Sequence, residues 1–169
     1  MELITRPIHY TQEGKRIFDQ FYLDEDYSVP EAGEDVGRIV QGRADVRTED
    51  IRLIENYVRI TGKVYFQILY ITDSADPQPA VLEGKLPFEE MVYAEDGEDG
   101  TYFIRNMRTE TGVTVVNPRK LSLRIMVELE VGRERLEDEE TAVGVETDIQ
   151  VCRKMKNVNF LKLDVSKQD

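Results

Sequence analysis

Two segments of the chain alternate strictly between apolar and other side chains, and this pattern constrains the fold more than any other feature. Within each segment the apolar residues recur at every second position. They are Val58, Ile60, Val64, Phe66, Ile68 and Tyr70 in the first segment, and Leu121, Leu123, Ile125, Val127, Leu129 and Val131 in the second. Successive side chains of a β-strand point to opposite faces. Each segment is therefore predicted to be a long strand with one buried face.

A turn signal and a strand-like run precede each of the two long strands. The turns are predicted at Glu55-Asn56-Tyr57 and at Asn117-Pro118-Arg119, where Asn supplies turn chemistry and Pro118 fixes φ. Upstream of them, the run Val-Arg-Thr-Glu at 46–49 matches Met-Arg-Thr-Glu at 107–110. The pattern predicts two hairpins of similar design, and internal duplication is one explanation of it.

The other elements are predicted to be shorter. A strand is expected over 16–23, ending at an acidic turn over 24–26. Helical spacing of apolar residues predicts a short helix over 34–41, and a proline near a first turn predicts a second one over 87–92. We therefore predict a mainly β fold, an antiparallel β-sandwich or partly open barrel with two short helices.

One group of side chains goes beyond the formation of a core. Tyr65, Leu69 and Ile71 stand on the outer face of the first long strand, where polar residues are expected. Either a helix or a second sheet covers them, or they form an exposed apolar surface used for association. These three residues are the candidate interface.

Composition excludes several classes of function. The 34 acidic and 22 basic residues give a net charge of −12, which disfavours nucleic acid and anionic membranes as partners. His9 is the only histidine and Cys152 the only cysteine. A catalytic triad would have to use His9, around which nothing resembles a nucleophile motif, and a zinc site needs about four such ligands. We predict no enzyme activity, no catalytic or metal residues and no cofactor. The lone cysteine and the lack of an apolar span predict a cytoplasmic location.

The acidic segment over 95–100 leaves a further question open. It supplies carboxylates and glycine turns that a hard cation needs, but it lacks the ligand spacing of an EF-hand. Together with the tyrosine content it motivates an alternative hypothesis. In that alternative the domain is a β-sandwich that binds glycan or peptidoglycan, with or without Ca²⁺.

Several short motifs occur in a characteristic order between residues 27 and 131. They are Val29-Pro30, the run Glu-Asp-Val-Gly-Arg-Ile-Val at 34–40, the run Val-Arg-Ile-Thr-Gly-Lys-Val at 58–64, Ile68-Leu69-Tyr70, Leu86-Pro87-Phe88 and the run Val-Asn-Pro-Arg-Lys-Leu at 116–121. Together they resemble the SPOCS domain of clostridial, SipL-like spore-coat morphogenetic proteins. We expect one SPOCS-like β domain over 1–150, with a recognisable core over 27–131. Residues 151–169 are expected to be an extension or linker toward further domains.

The resemblance implies a function. It implies a non-enzymatic assembly module of the spore coat, acting in the mother-cell cytoplasm at the forespore surface. The implied partners are other coat morphogenetic proteins, among them the basement-layer ATPase. That contact is assigned in the family to a LysM module, which is not among these 169 residues, so we expect the chain to be the N-terminal part of such a protein. The family offers no catalytic residues to carry over, and self-association is left open.

Overall fold

A computed structural model describes residues 2–95 and 97–146, and the side chains of residues 3–95 and 97–138 within them. Every regular element in these ranges is a β-strand. The strands are β1 (Glu2–Glu13), β2 (Ile17–Ser28), β3 (Val36–Ile54), β4 (Tyr57–Thr72), β5 (Pro79–Tyr93), β6 (Thr101–Asn117) and β7 (Lys120–Glu146). The described residues group into two compact units, one of residues 2–10 with 137–146 and the other of Thr11–Leu136. The predicted domain limit at residue 150 and the extension over 151–169 lie outside the described residues.

The strands form two sheets. A three-stranded sheet has the order β3-β4-β5, and a four-stranded sheet has the order β1-β7-β2 with β6 also paired to β7. The pairings β2 with β7, β3 with β4, β4 with β5 and β6 with β7 are all antiparallel. No ladder joins the two sheets within the described strands, so they do not close into a barrel. The prediction of a mainly β, antiparallel fold is confirmed.

The core lies between β4 and β7. The alternating residues of both strands, predicted to be buried, have almost no solvent exposure. Aromatic contacts join the neighbouring strands across the gap between the sheets. Phe21 of β2 stacks on Phe88 of β5 with 5.5 Å between ring centroids, and Tyr27 meets Phe66 edge-on at 5.1 Å. The apolar period of two therefore defines which face of each sheet is internal.

Both predicted hairpins are present. β3 and β4 are joined by a turn at Glu55 and Asn56, where Glu55 has a φ of 54°. β6 and β7 are joined at Pro118 and Arg119, where Asn117 Oδ1 accepts a hydrogen bond from the Arg119 backbone N–H at 2.8 Å. These two turns set the register of the longest ladders.

The two short helices predicted over 34–41 and 87–92 are wrong, because both segments are strands. Register shifts in β3 between Val36 and Arg38, and between Ile39 and Gln41, displace the apolar side chains from strict alternation and imitate helical spacing. In β5 the inward positions are Phe88, Glu90 and Val92, so an inward carboxyl hides the period of two. Pro87 is tolerated because β5 is an edge strand.

The acidic turn predicted over 24–26 is also wrong. β2 continues to Ser28, paired with the first residues of β7. Its outward carboxylates meet cations on that neighbouring strand, Asp24 with Arg124 at 3.5 Å and Asp26 with Lys120 at 3.4 Å. Cross-strand pairing of opposite charges compensates for the low strand propensity of Asp.

Close backbone approach explains why glycine stands at position 62. A Cβ at Gly62 would clash with the carbonyl oxygen of Arg47 on β3 and would lie 2.9 Å from the ring of Phe88. At Gly112 the nearest atom would be 3.6 Å away, an ordinary contact. The two glycines are both inside strands, but only the first is required by packing.

We predict that Gly62→Ala lowers the free energy of unfolding by about 1 to 3 kcal/mol, because β3 and the Phe88 ring must shift to make room. Gly112→Ala is the matched control and should change it by less than about 1 kcal/mol. Urea unfolding followed by circular dichroism measures both. Equal effects of the two substitutions would contradict the packing argument.

Candidate interaction surface

The candidate interface residues lie on the outer face of the three-stranded sheet, the face directed away from the core. Inward side chains on β4 alternate with Tyr65, Leu69 and Ile71, which therefore point outward. Tyr65 is 36% exposed, and Leu69 and Ile71 are half-buried. The sequence left open whether these three residues are covered or exposed, and the structure places them at the surface. Their role as an interface stays a prediction.

An apolar patch surrounds two of these residues. Leu69 is directly opposite Val81 of β5, which is 56% exposed, and Ile71 is opposite Pro79. We call Leu69, Ile71 and Val81 the apolar patch. Cross-strand neighbours on one face lie about 5 Å apart, so these side chains can form one continuous contact area.

Sequence reasoning missed Val81. In β5 the outward residues Val81, Glu83 and Lys85 alternate, which is a signal for a strand, but the helix predicted downstream obscured it. The position of Val81 beside Leu69 also depends on the register of β5 against β4, which no local pattern specifies. The patch therefore becomes visible only in the folded chain.

Charged side chains occupy much of the rest of the outer face of the three-stranded sheet, and cations outnumber anions. The opposite end of this face carries further exposed apolar side chains, Ile54, Tyr57, Met91 and Tyr93. The seven cations are Arg38, Arg43, Arg47, Arg52, Arg59, Lys63 and Lys85, and the five anions are Asp45, Glu49, Asp50, Glu83 and Glu89. This face is net positive in a chain of net charge −12.

The ion pairs of this face are concentrated away from the apolar patch. Arg59 donates to Glu89 at 2.9 Å, and this hydrogen bond and charge lower the pKa of the Glu89 carboxyl. Lys63 pairs with Glu49 at 3.0 Å, and the Arg47 guanidinium lies 4.6 Å from the centre of the Tyr65 ring. The far half of the sheet is thus largely neutralised.

Three cations nearer the patch have no such partner. Among the described residues, Arg38, Arg43 and Lys85 form no ion pair. Arg38 is opposite Ile71. Arg43 is opposite Gln67, which lies between Tyr65 and Leu69 on the outer face of β4. Lys85 is opposite Tyr65. The nearest anion is Glu83, which accepts a hydrogen bond from Gln67 at 2.8 Å. In the described part of the chain, the charge around the patch is therefore mixed and net positive.

The acidic segment over 95–100 has internal partners for two of its carboxylates. Glu98 pairs with Arg133, and Glu95 lies 3.8 Å from Lys15. In the part of the chain that the structure describes, no group of three or more His, Cys, Asp or Glu residues is placed to hold a metal ion. His9 contacts Asp138 on the exposed surface, and Cys152 lies outside the described residues.

Aromatic rings also occur on the outer face of the four-stranded sheet. Phe18 is 74% exposed. Tyr22 lies four residues further along β2 on the same face, with the Arg124 guanidinium 4.5 Å from its ring centre. Gln20 and Asn106 line the surface beside Phe18. Such a combination is compatible with sugar binding, so the glycan alternative stays a prediction.

A pair of carboxyl groups lies at the open side of the sandwich, where β2 and β5 are not hydrogen-bonded to each other. Glu90 of β5 and Asp19 of β2 both occupy inward, half-buried positions. Burial, with the charge and hydrogen bond of Asp19, raises the pKa of Glu90 from its ordinary 4.5 to about 7. No cation is among the causes of this shift, so the ionised form of Glu90 is disfavoured.

These features define an all-β module of two antiparallel sheets whose candidate site is an open surface. Residues 35–117 match the family model described as SipL, SPOCS domain. The chain therefore carries a SPOCS domain, as the motifs indicated, and the family identifies it as a sporulation-related module. The match covers β3 to β6 and contains the whole candidate surface. No curated protein and no solved structure matches the chain.

A membrane span is not found among the described residues: none of them forms a helix long and apolar enough to cross a bilayer.

We predict that the contribution of Glu90 to the stability of the domain falls as pH rises from about 4.5 to 7, because the folded state holds the Glu90 proton more tightly than the unfolded state does. Glu90→Gln removes this loss and should raise the melting temperature above about pH 7, with little effect near pH 5.

Glu89→Gln is the matched control on the adjacent, outward position. Since Arg59 lowers the Glu89 pKa, this substitution should leave the melting temperature unchanged or lower it at neutral pH. Thermal unfolding across the pH range measures both variants. A wild-type-like pH profile for Glu90→Gln would contradict the shifted pKa.

Proposed function

We propose that the domain is a non-enzymatic assembly module of the spore coat. In this proposal it acts on the mother-cell side of the forespore surface and binds other coat morphogenetic proteins through the outer face of the three-stranded sheet. The match to the SPOCS family model supports a role in sporulation. The apolar patch supports binding through the outer face of the three-stranded sheet. The full sequence holds one histidine and one cysteine, which supports a role without catalysis.

The single observation that carries the proposal is the partly exposed apolar patch with net positive charge around it. Leu69, Ile71 and Val81 lie on a sheet face whose opposite side already forms the core. The part of these side chains that remains exposed gains free energy when a partner covers it, about 25 cal/mol per Å² of apolar area. Their clustering at one end of the sheet is typical of a protein contact.

The surface is flat and lies on strands, which suits protein recognition more than a small molecule. Small ligands bind in clefts that enclose most of their surface. Tyr65, Leu69 and Val81 are instead held on rigid strands that hydrogen-bond to each other along their full length. A rigid, preorganised face loses little conformational entropy on binding a partner.

The proposal predicts that the double variant Leu69→Gln, Val81→Gln loses binding to coat morphogenetic proteins while it stays folded. Removing two apolar contacts at a constant net charge should weaken binding by about tenfold or more. The outward positions predict a change in unfolding free energy of less than about 1 kcal/mol. Pull-downs and interferometry with purified coat proteins measure binding, and urea unfolding measures stability.

Val116→Gln is the control, because Val116 is an exposed aliphatic residue on β6 of the other sheet. It should bind as the unmodified domain does. If the double variant is folded and still binds every coat protein that the unmodified domain binds, this face is not the assembly surface. If the unmodified domain binds none of them, the assembly role fails for this region.

A further inference from the structure

The outer face of the three-stranded sheet differs in charge from the rest of the chain, and this identifies the chemistry of its partner. The inference rests on the proposed function, since it concerns the same surface. Seven of the 22 basic residues of the sequence lie on this one face, but only five of the 34 acidic ones. The rest of the chain therefore has a larger excess of acidic over basic residues than the whole sequence has.

The cations that lack an ion pair are the ones nearest to the apolar patch. Arg38 and Arg43 stand on β3, opposite Ile71 and Gln67. On β5 the anion Glu83 comes directly after Val81 on the outer face and Lys85 follows it, so the charge around the patch is mixed and net positive. On the far half of the sheet, ion pairs such as Arg59 with Glu89 neutralise the charge. Complementary charges around an apolar centre raise the rate and specificity of association.

A symmetric dimer through this face is disfavoured by the same charges. A two-fold contact places the patch of one copy on the patch of another, which brings Arg38, Arg43 and Lys85 close to the same three residues of the second copy. Like charges brought together at an interface oppose binding. The face therefore fits a different, negatively charged surface better than it fits itself.

A protein fits this face better than a nucleic acid does. Nucleic acid binding takes its affinity from many cations that neutralise consecutive phosphates. Here Asp45 and Glu83 lie between the cations, and the apolar patch at one end of the face consists of the aliphatic side chains Leu69, Ile71 and Val81. Aliphatic side chains offer no stacking surface to bases.

We propose that the outer face of the three-stranded sheet binds an acidic, extended protein segment that presents apolar and acidic side chains on one and the same side. The apolar side chains cover Leu69, Ile71 and Val81, and the carboxylates pair with Arg38, Arg43 and Lys85. Every second side chain of an extended segment points the same way, so the apolar and acidic residues that face the sheet stand two positions apart. The segment contributes the negative charge that this face lacks.

Titration of the domain with three fluorescent octapeptides tests the proposal. The first peptide carries Leu and Glu in turn at its odd positions, with Ser at the even positions. The second carries Leu and Lys at the odd positions and the third Ser and Glu; single-stranded oligothymidine is the fourth probe. At low salt, about 50 mM NaCl, the Leu-Glu peptide should bind about tenfold or more tightly than each of the other probes. At about 500 mM NaCl its affinity should fall, because salt screens exposed charges.

Charge reversal localises the binding. Arg43→Glu combined with Lys85→Glu should weaken Leu-Glu binding by about tenfold or more. Arg108→Glu combined with Arg124→Glu makes the same change in net charge on the four-stranded sheet, where both arginines already face acidic partners. This control should alter the affinity by less than about twofold.

Several results would overturn the inference. Equal binding of the Leu-Lys or Ser-Glu peptide would remove the acidic or the apolar requirement, and equal binding of oligothymidine would indicate a general polyanion site. Equal effects of the two charge reversals would place the binding elsewhere.

The binding assay with coat proteins separates a failure of this inference from a failure of the proposed function. If capture is lost in Leu69→Gln, Val81→Gln but kept in Arg43→Glu, Lys85→Glu, the assembly surface stands and the acidic partner is wrong.

Discussion

The structure depends on the burial of two apolar strand faces against each other, one from β4 and one from β7. Every second residue is buried from Val58 to Thr72 in β4 and from Leu121 to Val131 in β7. Eleven of the twelve largest fully buried side chains of the described residues stand at these positions. Burying a Val, Leu, Ile or Phe side chain stabilises a fold by about 1.5 to 3 kcal/mol. Because strand alternation is strict, this burial also determines which residues face outward, and Tyr65, Leu69 and Ile71 are among them.

The turns prevent the register from slipping. A slip of one residue would exchange the inner and outer faces of β4 and expose its apolar set. The two-residue turns at Glu55-Asn56 and Pro118-Arg119 fix the pairing of β3 with β4 and of β6 with β7. Arg119 also donates hydrogen bonds to the carbonyls of Gly33 and Pro30, at 2.6 and 2.8 Å, and so holds the connection between β2 and β3.

The resemblance between the two hairpins extends to their surroundings. Each long strand pairs with its hairpin partner on one side and with a third strand on the other, β5 beside β4 and β2 beside β7. The structure thus confirms two hairpins of similar design. Internal duplication stays a hypothesis, since similar packing demands on two central strands produce the same arrangement without common ancestry.

Sequence predicted the parts of the fold that follow from local alternation. The two long strands, both hairpin turns and the outward position of Leu69 were accessible in this way, and the ordered motifs indicated the SPOCS family that the comparison confirms. The two segments predicted to be short helices were not recognised as strands, because bulges in β3 and the inward Glu90 in β5 disturb the period of two.

The composition of the candidate surface was only partly accessible from sequence. Val81 and Lys85 lie near Leu69 and Tyr65 through the register of β5 on β4, and Arg38 reaches Ile71 through a bulged ladder. Such neighbours are separated by tens of residues and depend on every turn and bulge between them. For the same reason, the net positive charge of the face is not visible in a chain whose total charge is −12.

The central claim is that the outer face of the three-stranded sheet is covered by a coat protein during assembly. Photo-crosslinking in sporulating cells tests it most directly, with a photoreactive amino acid at position 69 in one strain and at position 116 in another. The account predicts crosslinks from position 69 to one or a few coat morphogenetic proteins, appearing as the coat forms, and none of these products from position 116. Absence of crosslinks from position 69 in a folded protein, or the same products from both positions, would contradict it.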